Sequence, residues 1–290
     1  MPRYPWVPTG FSHLLLTMML LPVQFRWVLL WTVCLVSHAV SQTTEMRVPN
    51  GTLAIPQEPP VTEVQVVDAF PGLTFLRPVA IVSPPGETNR VFVVEKAGQI
   101  YVITNLAAPT KTLFLDLRSK IWEQWYNENG LLGLAFHPLY RSGSVGGSNY
   151  IYVFYYSLEG HNRLSRYEIN PGNANEALVN SELVLISQHD DEGSHNGGDL
   201  HFGPDGYLYV STGDEGGLTG QFGNSRLINK DFFGGILRID VDKRTENVEP
   251  HPHPAVHTNA AGLAYYSVPA DNPFLGATQF NGQIIDPLTV

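Results

Sequence analysis

The sequence predicts an all-β protein, a β-propeller of four-stranded blades. Three observations carry this. Short runs of aromatic and β-branched residues are separated by Gly, Pro, Asn and Asp, the composition of strands and their turns. A polar residue and a glycine followed by alternating aromatic and aliphatic residues recur near Gly98, Asn149 and Gly206. Their spacing of about fifty residues is that of a propeller blade. No long stretch with helical periodicity interrupts them. A β-sandwich or barrel also has short strands and frequent turns, but repetition at blade length favours the radial arrangement.

Taken in order, residues 1–41 read as a secretory signal peptide. Arg26 precedes the apolar run Trp27 to Val36, and Ser37-His38-Ala39 supplies a small-residue cleavage site. Pro22, Gln24 and Arg26 break the apolar residues before it, so the leader lacks the ~20 uninterrupted apolar residues of a spanning helix. Residues 42–63 are polar, carry prolines and show no period, as a linker does. Residues 64–290 form the propeller domain.

Within it, Val79–Val82, Arg90–Glu95, Ile100–Ile103 and Leu113–Leu117 read as strands, with Pro84-Pro85-Gly86 and Ala97-Gly98-Gln99 as turns. Ile121–Tyr126 reads as a helical turn or loop. Gly130–Phe136 is an apolar run bounded by Gly and Pro, suited to a strand buried on both faces. Tyr150–Ser157, Asn162–Ile169, Leu183–Ile186 and Gly234–Val241 complete the strand inventory around a central hairpin. That domain length gives roughly four to five blades.

The composition narrows the function. A net charge of −10 leaves no basic face for phosphates, so a nucleic acid is excluded as partner. The single cysteine, Cys34, lies in the leader, so no disulfide forms within the mature chain. Together with the leader, the reading is an exported protein, periplasmic or extracellular.

The chemistry concentrates in the central hairpin. His195 precedes Asn196-Gly197-Gly198. A strand then leads to the turn Pro204-Asp205-Gly206, and the returning strand Tyr207–Thr212 ends at Gly213-Asp214. Folding at that turn brings both ends together, so His195 and Asp214 are expected as neighbours. A histidine oriented by a carboxylate is the usual general base. The glycines at 197 and 198 leave backbone open to a planar ring. No metal ligands are assigned. His251, His253 and His257 read as an exposed proline-rich loop, and Asp190-Asp191-Glu192 as a solvated charge run.

Four ordered stretches carry a resemblance: Gly130-Leu131-Leu132-Gly133-Leu134-Ala135-Phe136-His137-Pro138; His195-Asn196-Gly197-Gly198 with Phe202–Gly206 and Thr212–Asp214; Gly235–Asp240; and Pro269–Phe274. Together they resemble the soluble glucose and sorbosone dehydrogenases that use pyrroloquinoline quinone (PQQ). The resemblance implies a six-bladed propeller with calcium and the quinone at the mouth of its channel. It implies an aldose or related polyol as substrate, and a further electron acceptor. It makes His195 the base that takes the hydroxyl proton as hydride leaves for the quinone, and Asp214 the carboxylate that orients it. Glu128 stands where characterised members have a sugar-contacting glutamine. Asp199 replaces a basic residue and Ser194 an acidic one, so glucose itself is not implied. Asn196, Gly197 and Gly198 fall on the substrate and cofactor side of the site. The family's calcium ligands, and the basic groups that hold the quinone, are expected beyond Val290, which makes the ring incomplete and its activity doubtful. The alternative is a non-catalytic propeller used as a binding surface. The extracellular hedgehog-interacting proteins have a similar domain, but they are cysteine-rich and this mature chain is not.

Overall fold

Strands that turn successive side chains to opposite faces build the architecture, seen here in a computed structural model that describes residues 65–124, 128–140, 148–218, 220–225, 231–280 and 282–285. The expected signal peptide, the whole of the expected linker, and Trp125 and Tyr126 lie outside the described residues.

The first sheet runs β1 (Pro78–Val82), β2 (Val91–Glu95), β3 (Gln99–Ile103), β4 (Lys111–Asp116) in spatial order. The second runs β5 (Leu131–Phe136), β6 (Tyr150–Tyr156), β7 (His161–Glu168), β8 (Leu183–His189). Every neighbouring pair is antiparallel. Each sheet is therefore a four-stranded meander, the blade of a propeller. The third sheet has β9 (Gly197–Phe202), β10 (Leu208–Thr212) and β11 (Ile236–Ile239). A two-residue pair, β12 (Gln279–Phe280) with β13 (Gln283–Ile284), closes the inventory. The one helical element among the described residues is a 3-10 turn at Val179–Ser181.

Successive side chains of a strand point to opposite faces, and the second sheet shows what that achieves. Ile151, Val153 and Tyr155 of β6 enter a core shared with Phe92, Val102 and Phe114 of the first sheet. Tyr152 and Phe154 enter a core shared with Leu200, Leu208 and Val210 of the third. The middle blade is thus apolar on both faces because it is sandwiched between blades. That is why β5 and β6 read as continuous hydrophobic runs.

Blades are also tied at their loops. Arg90, just before β2, donates to both carboxylate oxygens of Glu87 at 2.6 Å each. It also donates to Tyr140 Oη at 2.7 Å and to Ala174 O and Asn175 Oδ1, in the β7–β8 connection, at 2.9 and 2.8 Å.

Two expectations shift. The repeat has the expected scale, since first strands begin at Pro78, Leu131 and Gly197. Its phase differs: Gly98 sits between second and third strands, whereas Asn149 and Gly206 sit between first and second. The glycine-and-alternation signal occurs at second-to-third as well as first-to-second hairpins, so it marks a hairpin without numbering it. Against the four to five blades expected from length, the described residues form two four-stranded sheets, one of three strands and one pair. Between β11 and β12 the chain runs in turns and single bridges such as Asp240–Ser267 and Val248–Val268.

Candidate functional site: a histidine–aspartate pair at the open end of a hairpin

The hairpin β9–β10 sets the geometry. Phe202 lies opposite Leu208 and Gly197 opposite Thr212. Asp205 makes the turn by accepting from Tyr207 N at 3.2 Å, while Gly206 N donates to Gly203 O at 2.9 Å. His195 and Asp214 each stand two residues beyond the last pair. Their side chains meet, His195 Nδ1 to Asp214 Oδ1, at 2.8 Å. This is the juxtaposition the turn and strand lengths predict.

The same contact recurs elsewhere. His201 and Asp199, both on β9 and both 76% exposed, pair at 3.0 Å as near neighbours in one strand. Among the pairs that join residues distant in sequence, exposure separates the cases. His137 pairs with Asp242 at 2.9 Å, but its side chain is 2% exposed and its Nδ1 accepts from Leu139 N. His253 pairs with Asp231 at 3.1 Å with a side chain 6% exposed, against Phe232. Those two rings are committed to packing, which corrects the exposed-loop reading for His253. His195 is 52% exposed while its partner Asp214 is 23% exposed. With Nδ1–H given to the carboxylate, Nε2 keeps its lone pair for an incoming proton.

Electrostatics reinforce the pair. The hydrogen bond to Asp214 raises the His195 pKa above the ordinary 6.5, with further charge contributions from Asp214, Glu128 and Asp190. The backbone at His195 is unusual as well. Its φ of 52° is left-handed, a region that costs a residue with a Cβ roughly 1–2 kcal/mol. Glu128, at the foot of β5, reaches it: Glu128 Oε2 accepts from His195 N at 2.7 Å. The structure thus brings His195, Asp214 and Glu128 together.

Asn196, Gly197 and Gly198 lie beneath. Asn196 is 2% exposed, donates through Nδ2 to Gly193 O at 3.0 Å, and accepts at its carbonyl from Gly213 N at 3.1 Å. A Cβ on Gly197 would stand 2.8 Å from Gly213 N and Ser211 O. On Gly198 it would stand 2.6 Å from Phe154 and 2.9 Å from Leu132. On those sides the glycines make room for protein. Gly133 of the apolar run has a similar reason, because its Cβ would fall 2.0 Å from Gly198 O.

One residue was undervalued in the sequence. Asp190 is 1% exposed rather than solvated. Its carboxylate accepts from Gly193 N at 2.8 Å, Glu192 N at 3.1 Å and Asn162 Nδ2 at 2.6 Å. Burial raises its pKa. The glycine three residues on was the available clue, since it lets the chain fold back over the carboxylate. Asp191 and Glu192 remain exposed.

Antiparallel four-stranded blades define a β-propeller fold, with an exposed His–Asp pair at the open end of its β9–β10 hairpin as the candidate site. The chain belongs to the Glucose / Sorbosone dehydrogenase family, whose model matches residues 76–259. Among known proteins it is similar to the Hedgehog-interacting protein of Mus musculus, 29% identical over 213 residues, covering 70% of this chain and 27% of that protein. It is also similar to quinoprotein glucose dehydrogenase B of Acinetobacter calcoaceticus, 25% identical over 211 residues, covering 62% of this chain and 42% of that one. In fold it matches the PQQ-bound aldose sugar dehydrogenase of Streptomyces coelicolor with a TM-score of 0.50 and 23% identity, covering 66% of this chain and 52% of that one. The chain therefore spans well under two thirds of the length of each of these proteins.

The residues can be tested against the cofactor that the family implies. PQQ carries three carboxylates and calls for cationic partners. The charged groups that raise the His195 pKa are Asp214, Glu128 and Asp190, all acids. These described neighbours fit a neutral hydroxyl compound and do not by themselves fit the quinone. Among the described residues no group of three or more His, Cys, Asp or Glu is arranged to hold a metal ion.

Proposed function

We propose that this chain carries the proton-accepting part of an exported, quinone-dependent sugar dehydrogenase. Oxidising an alcohol removes a hydride from carbon and a proton from oxygen. His195 Nε2 takes the proton, and Asp214 fixes the tautomer and stabilises the imidazolium that results. The hydride requires a two-electron acceptor, which in this family is the quinone, and the assignment here concerns the proton alone. Asn196, Gly197 and Gly198 form the floor under the base. Aldoses and related neutral polyols are the substrate class, because the acids around His195 repel sugar phosphates and uronates.

The observation that carries this reading is the 2.8 Å contact between a half-exposed His195 and Asp214. The test is reduction of a dye by the full chain with added quinone, calcium and a panel of sugars. Turnover lost in His195→Ala supports the assignment. Turnover equal in parent and His195→Ala overturns it.

A second reading is a non-catalytic binding propeller. It is favoured by the Hedgehog-interacting protein match, which covers more of this chain at higher identity than the dehydrogenase match does. Absence of quinone binding by the full chain, measured by titration calorimetry, supports that reading. Export is proposed from the leader, and secretion with loss of residues 1–41 tests it.

A further inference from the structure

Three separate elements converge on one residue. The side chain of His195 is held by Asp214, which follows β10. Its carbonyl oxygen lies where a Cβ of Gly213 would be, 1.2 Å away. Its amide N–H is taken by Glu128, 67 residues earlier in the chain. A φ of 52° at a residue with a Cβ persists only where the surroundings over-determine it.

Glu128 is well placed to do so. Its neighbour Asn129 is 1% exposed and accepts from Gln124 N at 3.0 Å. The next residue, Gly130, accepts from Tyr156 N at 2.9 Å, and Leu131 N donates to Lys96 O at 2.8 Å. Glu128 therefore stands at the start of a strand anchored on both sides. It reaches from the entry of the second blade to the entry of the third. A backbone N–H donating to a carboxylate makes a charge-assisted bond, stronger than one to a neutral amide.

We propose that Glu128 is a positioning residue: it clamps the His195 amide, locks that residue in its left-handed conformation, and so aims the imidazole at Asp214. The glutamate found here in place of a glutamine thus acts on the base through its backbone. The clamp couples two blades, so a change at the foot of β5 is felt by a ring on the third sheet. The catalytic consequence rests on the function proposed above; the clamp itself does not.

The experiment is an NMR titration of His195 in the histidine-labelled full chain, run on the parent, Glu128→Gln, Glu128→Ala, Asp214→Asn and the Glu128→Ala/Asp214→Asn double variant. Glu128→Gln keeps an acceptor at the amide and should retain the Nδ1-protonated tautomer, with a lower pKa because one negative charge is gone. Glu128→Ala should lose the Asp214-bonded signature and titrate near the Asp214→Asn value. The double variant should show the same tautomer signature as either single one, the non-additivity of groups acting through one contact, and titrate below Asp214→Asn only by the shift that Glu128→Gln shows for the lost charge. In a turnover assay, Glu128→Ala should lower kcat on the order of tenfold to a hundredfold with KM little changed, and Glu128→Gln should restore most of it. A folded Glu128→Ala that keeps the Asp214-bonded tautomer, with a titration shift no larger than that of Glu128→Gln, overturns the proposal, and so does a rise in KM alone, which marks a direct sugar contact. The titration needs no activity, so a protein that oxidises no sugar leaves the clamp fully testable.

Discussion

Gly213 and His195 compete for the same space: a Cβ on Gly213 would stand 1.2 Å from the His195 carbonyl oxygen and 2.3 Å from its carbon. The loops that carry the base and its carboxylate cross at that point. Only a residue without a side chain lets them cross close enough for the 2.8 Å contact.

Gly213→Ala should therefore destabilise the protein by about 3 kcal/mol and part His195 from Asp214. Gly213 is not among the left-handed glycines, so the effect isolates space from backbone strain. Denaturant unfolding measures the first part and the His195 titration the second. A variant as stable as the parent contradicts the crossing.

Asp214→Asn should move the acid limb of the rate profile. His195 must be neutral to accept a proton, and the hydrogen bond to Asp214 raises its pKa above 6.5. The parent's rate should therefore fall with a midpoint above 6.5, and the variant's midpoint should lie lower. The variant's plateau should also be lower, because the tautomer is no longer fixed. The sign for stability is the same. A histidine raised in the folded state contributes stability below its unfolded pKa and loses it as pH rises through the folded value. The difference in melting temperature between parent and Asp214→Asn should thus be larger at acid pH than at alkaline pH.

Asp190→Asn should be tolerated at neutral pH, whereas Asp190→Ala should not. The buried carboxylate accepts three N–H groups, and burial raises its pKa. Its ionisation is therefore unfavourable in the fold, and its stabilising contribution is lost as pH rises through its folded pKa. Asn162 donates to it through Nδ2 while its own Oδ1 is buried without a hydrogen-bond partner. With asparagine at 190, the Asn162 amide can turn over and offer that oxygen. Unfolding at neutral pH should place Asp190→Asn at or above the parent and Asp190→Ala about 1–3 kcal/mol below it.

Arg90→Lys should cost on the order of 2 to 3 kcal/mol. The guanidinium serves Glu87, Tyr140, Ala174 and Asn175 at once, and an ammonium cannot reproduce that planar fork. Thermal unfolding of the single variant tests it. Little change would mean that core packing alone holds the first two blades.

Much of this was legible in the residues. The aromatic and β-branched run Tyr150–Ser157 and the alternation in Asn162–Ile169 located strands because both signals are local to the chain. Pro204-Asp205-Gly206 and the strand lengths beside it were enough to place His195 near Asp214. Sequence alone did not distinguish one histidine–aspartate pair from another. His137–Asp242 and His253–Asp231 have the same contact but buried rings, and burial depends on which blade faces which.

The chain by itself determined strand-rich blades and a hairpin with a base and an acid at its open end, since both follow from neighbours in sequence. Only the tertiary structure decided that Asp190 is buried, that Gly213 is a crossing point and that Glu128 reaches the His195 amide. Those facts arise where separate blades meet, at distances that no local pattern encodes.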